Sequence, residues 1–331
     1  MITRLQLWRY RLPLQARLSL GVKTLDVREG LLLEWHGQSP ESICWSEIAP
    51  LPGFSRSTLA CCEQQILDLL NSAANWRQSL QQAPLDCAEE VRFGIEAGLF
   101  QMQQNLSFAG PVASCRLWRH DQTLPELGAA DCLKIKVGAK DFATDQARIQ
   151  VALSALSPGS TLRIDANRCW NLEAGRALAQ GLDIRAIDYV EEPLPAGGDY
   201  ALWWQETGLP FALDETLRDC SEASLAALLR LPGLKALVIK PMLLGLERSL
   251  QLIYAANEWQ KTIVLSAAYE SNLTLDFYAA LADHLKLSGP HGLDTFGALT
   301  AALIQPIHSQ PQHAHKPVME RKHMQCQGSW S

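Results

Sequence analysis

Apolar and polar residues alternate over residues 3–10, parts of 26–35 and 43–49, a period-2 pattern that predicts a small antiparallel sheet with hairpin turns. Helical periods follow it. Residues 56–80 set Leu59, Cys62, Ile66, Leu69 and Leu70 at helical spacing, and residues 86–105 do the same with Val91, Ile95, Leu99 and Met102. Between sheet and helix, Pro50-Leu51-Pro52-Gly53-Phe54-Ser55 carries the Pro and Gly of an ordered loop. Residues 1–105 thus read as an α+β unit.

From about residue 111 the period becomes one strand followed by one helix. Predicted strands are 113–118, 132–137, 161–165, 187–191, 210–214, 236–240, 262–266 and a short one near 291–295. Helices are predicted at 142–156, 172–180, 220–230 and 247–259. Eight strands suit a closed barrel. A doubly wound open sheet is the competing α/β architecture, but it calls for a Gly-rich phosphate loop, and the chain has neither G-x-G-x-x-G nor a P-loop.

Composition narrows the function classes. The 331 residues are 47% hydrophobic and 19% charged, the balance of an ordinary globular protein with a large core. The net charge of −6 and the lack of basic clusters give no reason to expect a nucleic-acid or membrane partner, and no protein partner is implied. Nine scattered cysteines with no C-x-x-C point to a reduced, cytoplasmic protein. Neither a secretory leader nor a membrane span is apparent.

The chemistry lies at strand ends. Counted from Lys136, Asp165, Glu191, Asp214 and Lys240 follow at intervals of 29, 26, 23 and 26 residues, about one strand, one helix and two loops each. Strand alternation puts Lys134 and Lys136 on one face, where like-charge repulsion is expected to lower the pKa of at least one. Three carboxylates converging at buried strand ends imply a cation, and oxygen-only donors select Mg²⁺, with Mn²⁺ as the other choice. A lone K-x-K reads as an exposed edge, and a lone strand-end acid as a surface group. Their repetition on successive strands favours a metal-assisted site that removes a proton from carbon, with a small-molecule carboxylate as substrate.

The flanking motifs carry a resemblance. REGLLLEW (28–35), WSEIAPLPGFS (45–55), RFGIEAGLF (92–100), KIKVG (134–138), RIDANRCW (163–170), VEEPL (190–194), ALDETLR (212–218), VIKPMLLG (238–245), SAAYES (266–271) and GLDT (292–295) appear in order. The chain resembles the enolase superfamily and, within it, the o-succinylbenzoate synthases of menaquinone biosynthesis, of the enterobacterial type. The resemblance implies a modified TIM barrel, (β/α)7β, over 106–296, with an enolase-like α+β cap over 1–105 completed by part of 297–331. It implies Mg²⁺ on Asp165, Glu191 and Asp214, with Glu192 pairing elsewhere. Lys136 would take the α-proton of 2-succinyl-6-hydroxy-2,4-cyclohexadiene-1-carboxylate and protonate the departing hydroxyl, a syn dehydration through an enediolate. Lys240 would stabilise the developing charge, and Lys134 would tune Lys136. Arg163, Asn167, Ser266 and Gly292 match substrate-binding or supporting positions.

Two other readings stay open. N-acylamino-acid racemases and dipeptide epimerases share such a site, although Asp294-Thr295-Phe296 lacks the second Asp that epimerases commonly present. A non-catalytic metabolite-binding barrel would be expected to lack a lysine or ligand, and none of the six is missing. Residues 306–331 read as a divergent polar tail, weakly ordered, in which His313 and His315 are solvated. Residues 15–25 and 50–55 are expected to close over the barrel mouth, with Arg17 and Phe54 taking part.

Overall fold

The computed structural model describes residues 2–20, 23–71, 76–81, 86–104, 106, 110–119, 122–138 and 141–331. Its N-terminal part is a sheet of β1 (Arg4–Leu20), β2 (Lys23–His36) and β3 (Ile43–Ile48), backed by α1 (Leu59–Asn71), α2 (Trp76–Gln81) and α3 (Glu89–Gln104). Leu5, Leu7, Leu31, Leu33 and Trp35 line one sheet face and pack on Cys62, Ile66, Val91 and Ile95 of the helices. Strand alternation meets helical period there, as the pattern predicts. The first hairpin is longer than its alternation suggests, because the register shifts between Pro13 and Leu18 and pairing resumes beyond it. Of the predicted helices, positions 72–75 and 105 lie outside the described residues.

The second sheet is parallel, in the order β10-β9-β8-β7-β6-β5-β4. Its strands are β4 (Arg116–Trp118), β5 (Cys132–Lys136), β6 (Thr161–Asp165), β7 (Ile187–Glu191), β8 (Phe211–Leu213), β9 (Leu234–Ile239) and β10 (Thr262–Leu265). Intervening helices are α4 (Phe142–Ala155), α5 (Leu172–Gly181), α6 (Tyr200–Thr207), α7 (Thr216–Asp219), α8 (Glu222–Leu229), α9 (Pro241–Leu244), α10 (Leu246–Glu258) and α11 (Asn272–His284). The expected eighth strand shrinks to two residues: His291 bridges Ser114 and Gly292 bridges Ser266, joining the two edges of the sheet. Pro290 has no N–H to offer, and Thr295 N turns back to Leu293 O at 2.8 Å, so little chain is left to pair.

Period 2 decides what faces inward. Leu133, Ile135, Ile164, Val190, Leu213, Leu237 and Leu265 pack in the main core with the helices. Tyr189, Ala212, Ala236, Val238 and Val264 form a separate buried layer inside the curved sheet. Two residues on from Tyr189, Ala212 and Val238, the same inward face carries Glu191, Asp214 and Lys240.

The polar stretch after residue 300 is more ordered than expected. β11 (Ala302–Leu303) pairs with β12 (Val318–Met319), and β13 (Gln325–Trp330) adds an antiparallel edge to β1 of the N-terminal sheet. Its pattern is hard to read because an edge strand exposes polar side chains on most positions. His313 packs edge-on against Phe296, with ring centroids 5.9 Å apart, and is half-buried rather than solvated.

Two buried charged residues dock the N-terminal unit on the barrel. Arg28 donates to the carbonyls of Ala49 (2.5 Å), Pro50 (2.7 Å) and Tyr269 (3.0 Å). Glu47 accepts from Tyr10 OH (2.5 Å), Ser271 Oγ (2.7 Å) and Thr274 Oγ1 (2.6 Å). Beside them Glu270 is wholly buried, and burial pushes it up to about 7 from its ordinary 4.5, with Glu47 adding to the rise. A raised carboxyl stabilises the fold fully below about pH 4.5 and loses that contribution as pH climbs through 7, about 3 kcal/mol in all. Glu270→Gln is therefore expected to exceed the wild type in urea unfolding by about 3 kcal/mol at pH 8 and by under about 1 kcal/mol at pH 5. An equal difference at both pH values would contradict this account.

Candidate active site at the barrel mouth

Lys136, Asp165 and Glu191 close β5, β6 and β7, Asp214 and Lys240 directly follow β8 and β9, and Lys134 lies two residues back within β5, so the charges gather toward the C-terminal ends where barrel sites are built. Lys134 on β5 reaches both Glu191 oxygens at 2.7 Å and Asp165 Oδ2 at 3.0 Å. Lys136 Nζ lies 3.6 Å from Asp165 Oδ2, and Lys240 Nζ pairs with Asp214 Oδ2. Lys136 and Lys240 therefore stand four strands apart in the curled sheet, on opposite sides of the carboxylates. Lys136 is the most open of the three, its side chain 37% exposed against 13% for Lys134 and 14% for Lys240.

Burial opposes charge on Lys134, Asp165, Glu191 and Lys240, and their neighbours decide the outcome. It is outweighed at Asp165, which Lys134, Lys136 and Lys240 hold well below the usual carboxylate range. Burial wins at Glu191, which is pushed up to about 7, with Asp165 adding to it and Lys134 pulling back. Burial is overcome at Lys134, where Asp165 and Glu191 raise the ammonium well above the ordinary lysine value. Lys240 is likewise raised by Asp214 and Glu191 against burial. The expectation of mutual lysine repulsion is corrected for Lys134, since pairing with two acids governs it.

The donor set suits a hard divalent cation. Asp165, Glu191 and Asp214 are buried acids with no histidine or cysteine among them, and Glu215 Oε2 beside them is buried without a hydrogen-bond partner among the described residues. In the present arrangement lysines are the carboxylates' partners, so among the described residues no three such side chains form a ready-made metal cage.

Lys134, Lys136, Asp165 and Lys240 line a small cavity together with Cys115, Leu117, Ser266, Ala267, Tyr269, Gly292, Asp294 and Thr295. A larger groove runs between β3, α3 and α11, but among the described residues its lining contains no lysine. Ser266 and Gly292 reach the cavity as expected. Gly292 is required by close approach, because a Cβ there would meet Ser266 Oγ at 2.8 Å. Gly292→Ala is expected to raise KM about tenfold with the fold retained, and an unchanged KM would sink a role for this wall.

Arg163 and Asn167 stand elsewhere. Arg163 is buried in the barrel, donating to Asp188 Oδ2 (2.9 Å) and Pro290 O (2.7 Å) over the Tyr189 ring, and it does not line the cavity. Asn167, with φ +44°, donates from Nδ2 to Asp165 Oδ1 at 2.5 Å, so it orients that acid. Tyr269 and Thr295 were missed by sequence reasoning. Tyr269 sits in SAAYES but reaches the cavity through a φ of +60°, and the buried Thr295 hydroxyl has no hydrogen-bond partner among the described residues. Neither feature leaves a mark in residue order.

Above the mouth, Leu18, Leu20, Leu51 and Phe54 of the N-terminal unit cluster with Leu243, Ala268, Tyr269 and Ala298 of the barrel. Phe54 thus lies where the closing loop was expected. Arg17 does not, since it pairs with Asp26 in solvent, and positions 21–22 of that segment lie outside the described residues.

The chain carries two family matches. The family model "Enolase C-terminal domain-like" matches residues 121–320, and "MenC, N-terminal domain" matches residues 2–102. The o-succinylbenzoate synthase of Edwardsiella ictaluri is 34% identical over 314 residues, covering 90% of this chain and 92% of the relative. Among solved structures, the o-succinylbenzoate synthase of Thermosynechococcus elongatus BP-1, complexed with Mg in the active site, superposes with a TM-score of 0.68 at 25% identity, covering 94% of this chain and 97% of that one. The L-Ala-D/L-Glu epimerase of Bacillus subtilis, at 18% identity, reaches 0.71 over 90% of this chain and 91% of its own, a likeness of fold alone. Barrel, strand-end acids and sequence identity over nine-tenths of the chain agree: it belongs to the o-succinylbenzoate synthase family of the enolase superfamily.

Proposed function

We propose that the protein is a hydro-lyase that dehydrates 2-succinyl-6-hydroxy-2,4-cyclohexadiene-1-carboxylate to 2-succinylbenzoate in menaquinone biosynthesis. The observation that carries this reading is the opposition of Lys136 and Lys240 across three buried carboxylates. Asp165, Glu191 and Asp214 would hold Mg²⁺, or Mn²⁺ in its place, whose charge would offset that gathering on the substrate carboxylate as its α-proton leaves.

Lys136, the lysine most open to the cavity, takes the α-proton. It then returns that proton to the hydroxyl leaving from the same face, so that the C–O bond breaks, water departs and the ring becomes aromatic. Lys240 is kept charged by Asp214 and Glu191, which suits it to stabilise negative charge rather than to act as a base. Lys134, bridging Asp165 and Glu191, aligns the two acids. Ser266, Gly292 and Thr295 would contact the rest of the substrate, and the Phe54 cluster would limit water entry.

Among the described residues no helix is long and apolar enough to cross a membrane. All nine cysteines are free, which suits a cytoplasmic enzyme. Assaying the purified protein side by side for aromatisation of the cyclohexadiene and for racemisation of N-succinylamino acids tests the reading. Dehydration is the expected activity, and racemisation alone would overturn it.

A further inference from the structure

Five donors converge on one carboxylate that the proposed reaction does not use. Glu192 is wholly buried. Its Oε1 accepts from the N–H groups of Asp214 (2.9 Å) and Thr216 (2.7 Å). Its Oε2 accepts from Arg168 Nε (3.1 Å), Thr216 Oγ1 (2.9 Å) and Tyr200 OH (2.9 Å). Arg168 Nη2 also donates to Thr216 Oγ1 at 3.0 Å, which closes the network on itself.

The donors are distributed with respect to the acids of the site. Arg168 follows the β6 end three residues after Asp165, Glu192 follows Glu191 at the end of β7, and Asp214 gives its own N–H at the end of β8. Backbone bonds run along the same path: Ala166 N to Glu191 O (3.0 Å), Arg168 N to Glu192 O (2.8 Å) and Glu192 N to Ala212 O (3.0 Å). Asn167, Arg168 and Glu192 all adopt positive φ, at +44°, +63° and +42°. Non-glycine residues hold that conformation only where their surroundings fix it, and such strain gathers at functional sites.

We propose that Glu192 is a positioning residue for the divalent cation: by fastening the ends of β6, β7 and β8 together, it sets the mutual placement of Asp165, Glu191 and Asp214 and so the affinity of the site. The proposal rests on those three acids being the ligands. A carboxylate is needed because it accepts on both oxygens. A glutamine would set its NH2 either against the N–H groups of Asp214 and Thr216 or against Arg168, and none of these can accept.

The test uses the full-length protein stripped with a chelator. Mg²⁺ binding is followed by calorimetry, and thermal unfolding is recorded without metal. Glu192→Gln is expected to weaken Mg²⁺ binding about tenfold or more while unfolding above the assay temperature. Mg²⁺ affinity within about twofold of wild type in the folded variant would overturn the proposal. Should Glu192→Gln fail to fold, Tyr200→Phe, which removes one donor, decides: about a twofold to fivefold weakening supports the proposal, and unchanged affinity overturns it. Asp165→Asn separates the two layers of the argument. Loss of Mg²⁺ binding there with full binding in Glu192→Gln defeats the positioning role alone, whereas retained binding in Asp165→Asn defeats the ligand assignment beneath it.

Discussion

Lys136→Ala is expected to lower the dehydration rate by about four orders of magnitude while leaving the fold and Mg²⁺ binding intact. The size of the effect follows from one side chain serving two steps, as base toward the α-carbon and as acid toward the leaving hydroxyl. Lys136 is also dispensable for packing, being the most open of the three site lysines and 3.6 Å from its acidic neighbour Asp165. Steady-state turnover with circular dichroism and a Mg²⁺ isotherm on the same preparation checks the claim. Retention of the wild-type rate would remove Lys136 from the mechanism even with the fold as described.

Chelating the divalent cation is expected to abolish turnover reversibly, and Glu191→Gln is expected to abolish the protein's response to it. A ligand at a hundred times its Kd stabilises the folded state by about 2.7 kcal/mol. For a chain of this size that raises Tm by roughly 4 °C. The wild type should show the shift on adding Mg²⁺, and Glu191→Gln should not. Glu191 is the discriminating choice because it lies between Asp165 and Asp214 in the strand order, and the electrostatics of both bear on it. A full Mg²⁺ shift in the variant would exclude Glu191 as a ligand.

The strand ends were the legible part of this chain. Lys134, Lys136, Asp165, Glu191, Asp214 and Lys240 could be placed from order alone, because a parallel barrel turns a spacing of one strand and one helix into a ring and period 2 into an inward face. Elements without a clear period were not legible. α11 is buried along nearly its whole length, from Asn272 to Ala282, so it shows no amphipathic stripe, and α6 is too short to establish one. The β13 edge escaped for the opposite reason, being polar on most positions.

Within the site, residue type was legible and direction was not. Arg163 occupies the inward face as alternation requires, but its partners Asp188 and Pro290 O hold it below the cavity. Tyr269 and Asn167 take left-handed backbone conformations that residue order does not announce. The pairing of Lys134 with both Asp165 and Glu191 depends on register between neighbouring strands, in which Lys136 stands opposite Asp165 and Asp165 opposite Glu191. The lysine repulsion expected from K-x-K therefore gave way at Lys134 to attraction across strands.

The central claim is that Lys136 alone handles the proton on one face of the substrate while Lys240 faces the other as a fixed charge. A crystal structure of the protein with Mg²⁺ and 2-succinylbenzoate tests it most directly. The account predicts Lys136 Nζ at about 3 Å from the ring carbon bearing the carboxylate or from the site of the lost hydroxyl, with Lys240 across the ring beside the carboxylate. Lys240 on the face of the departed hydroxyl, with Lys136 out of reach, would contradict it.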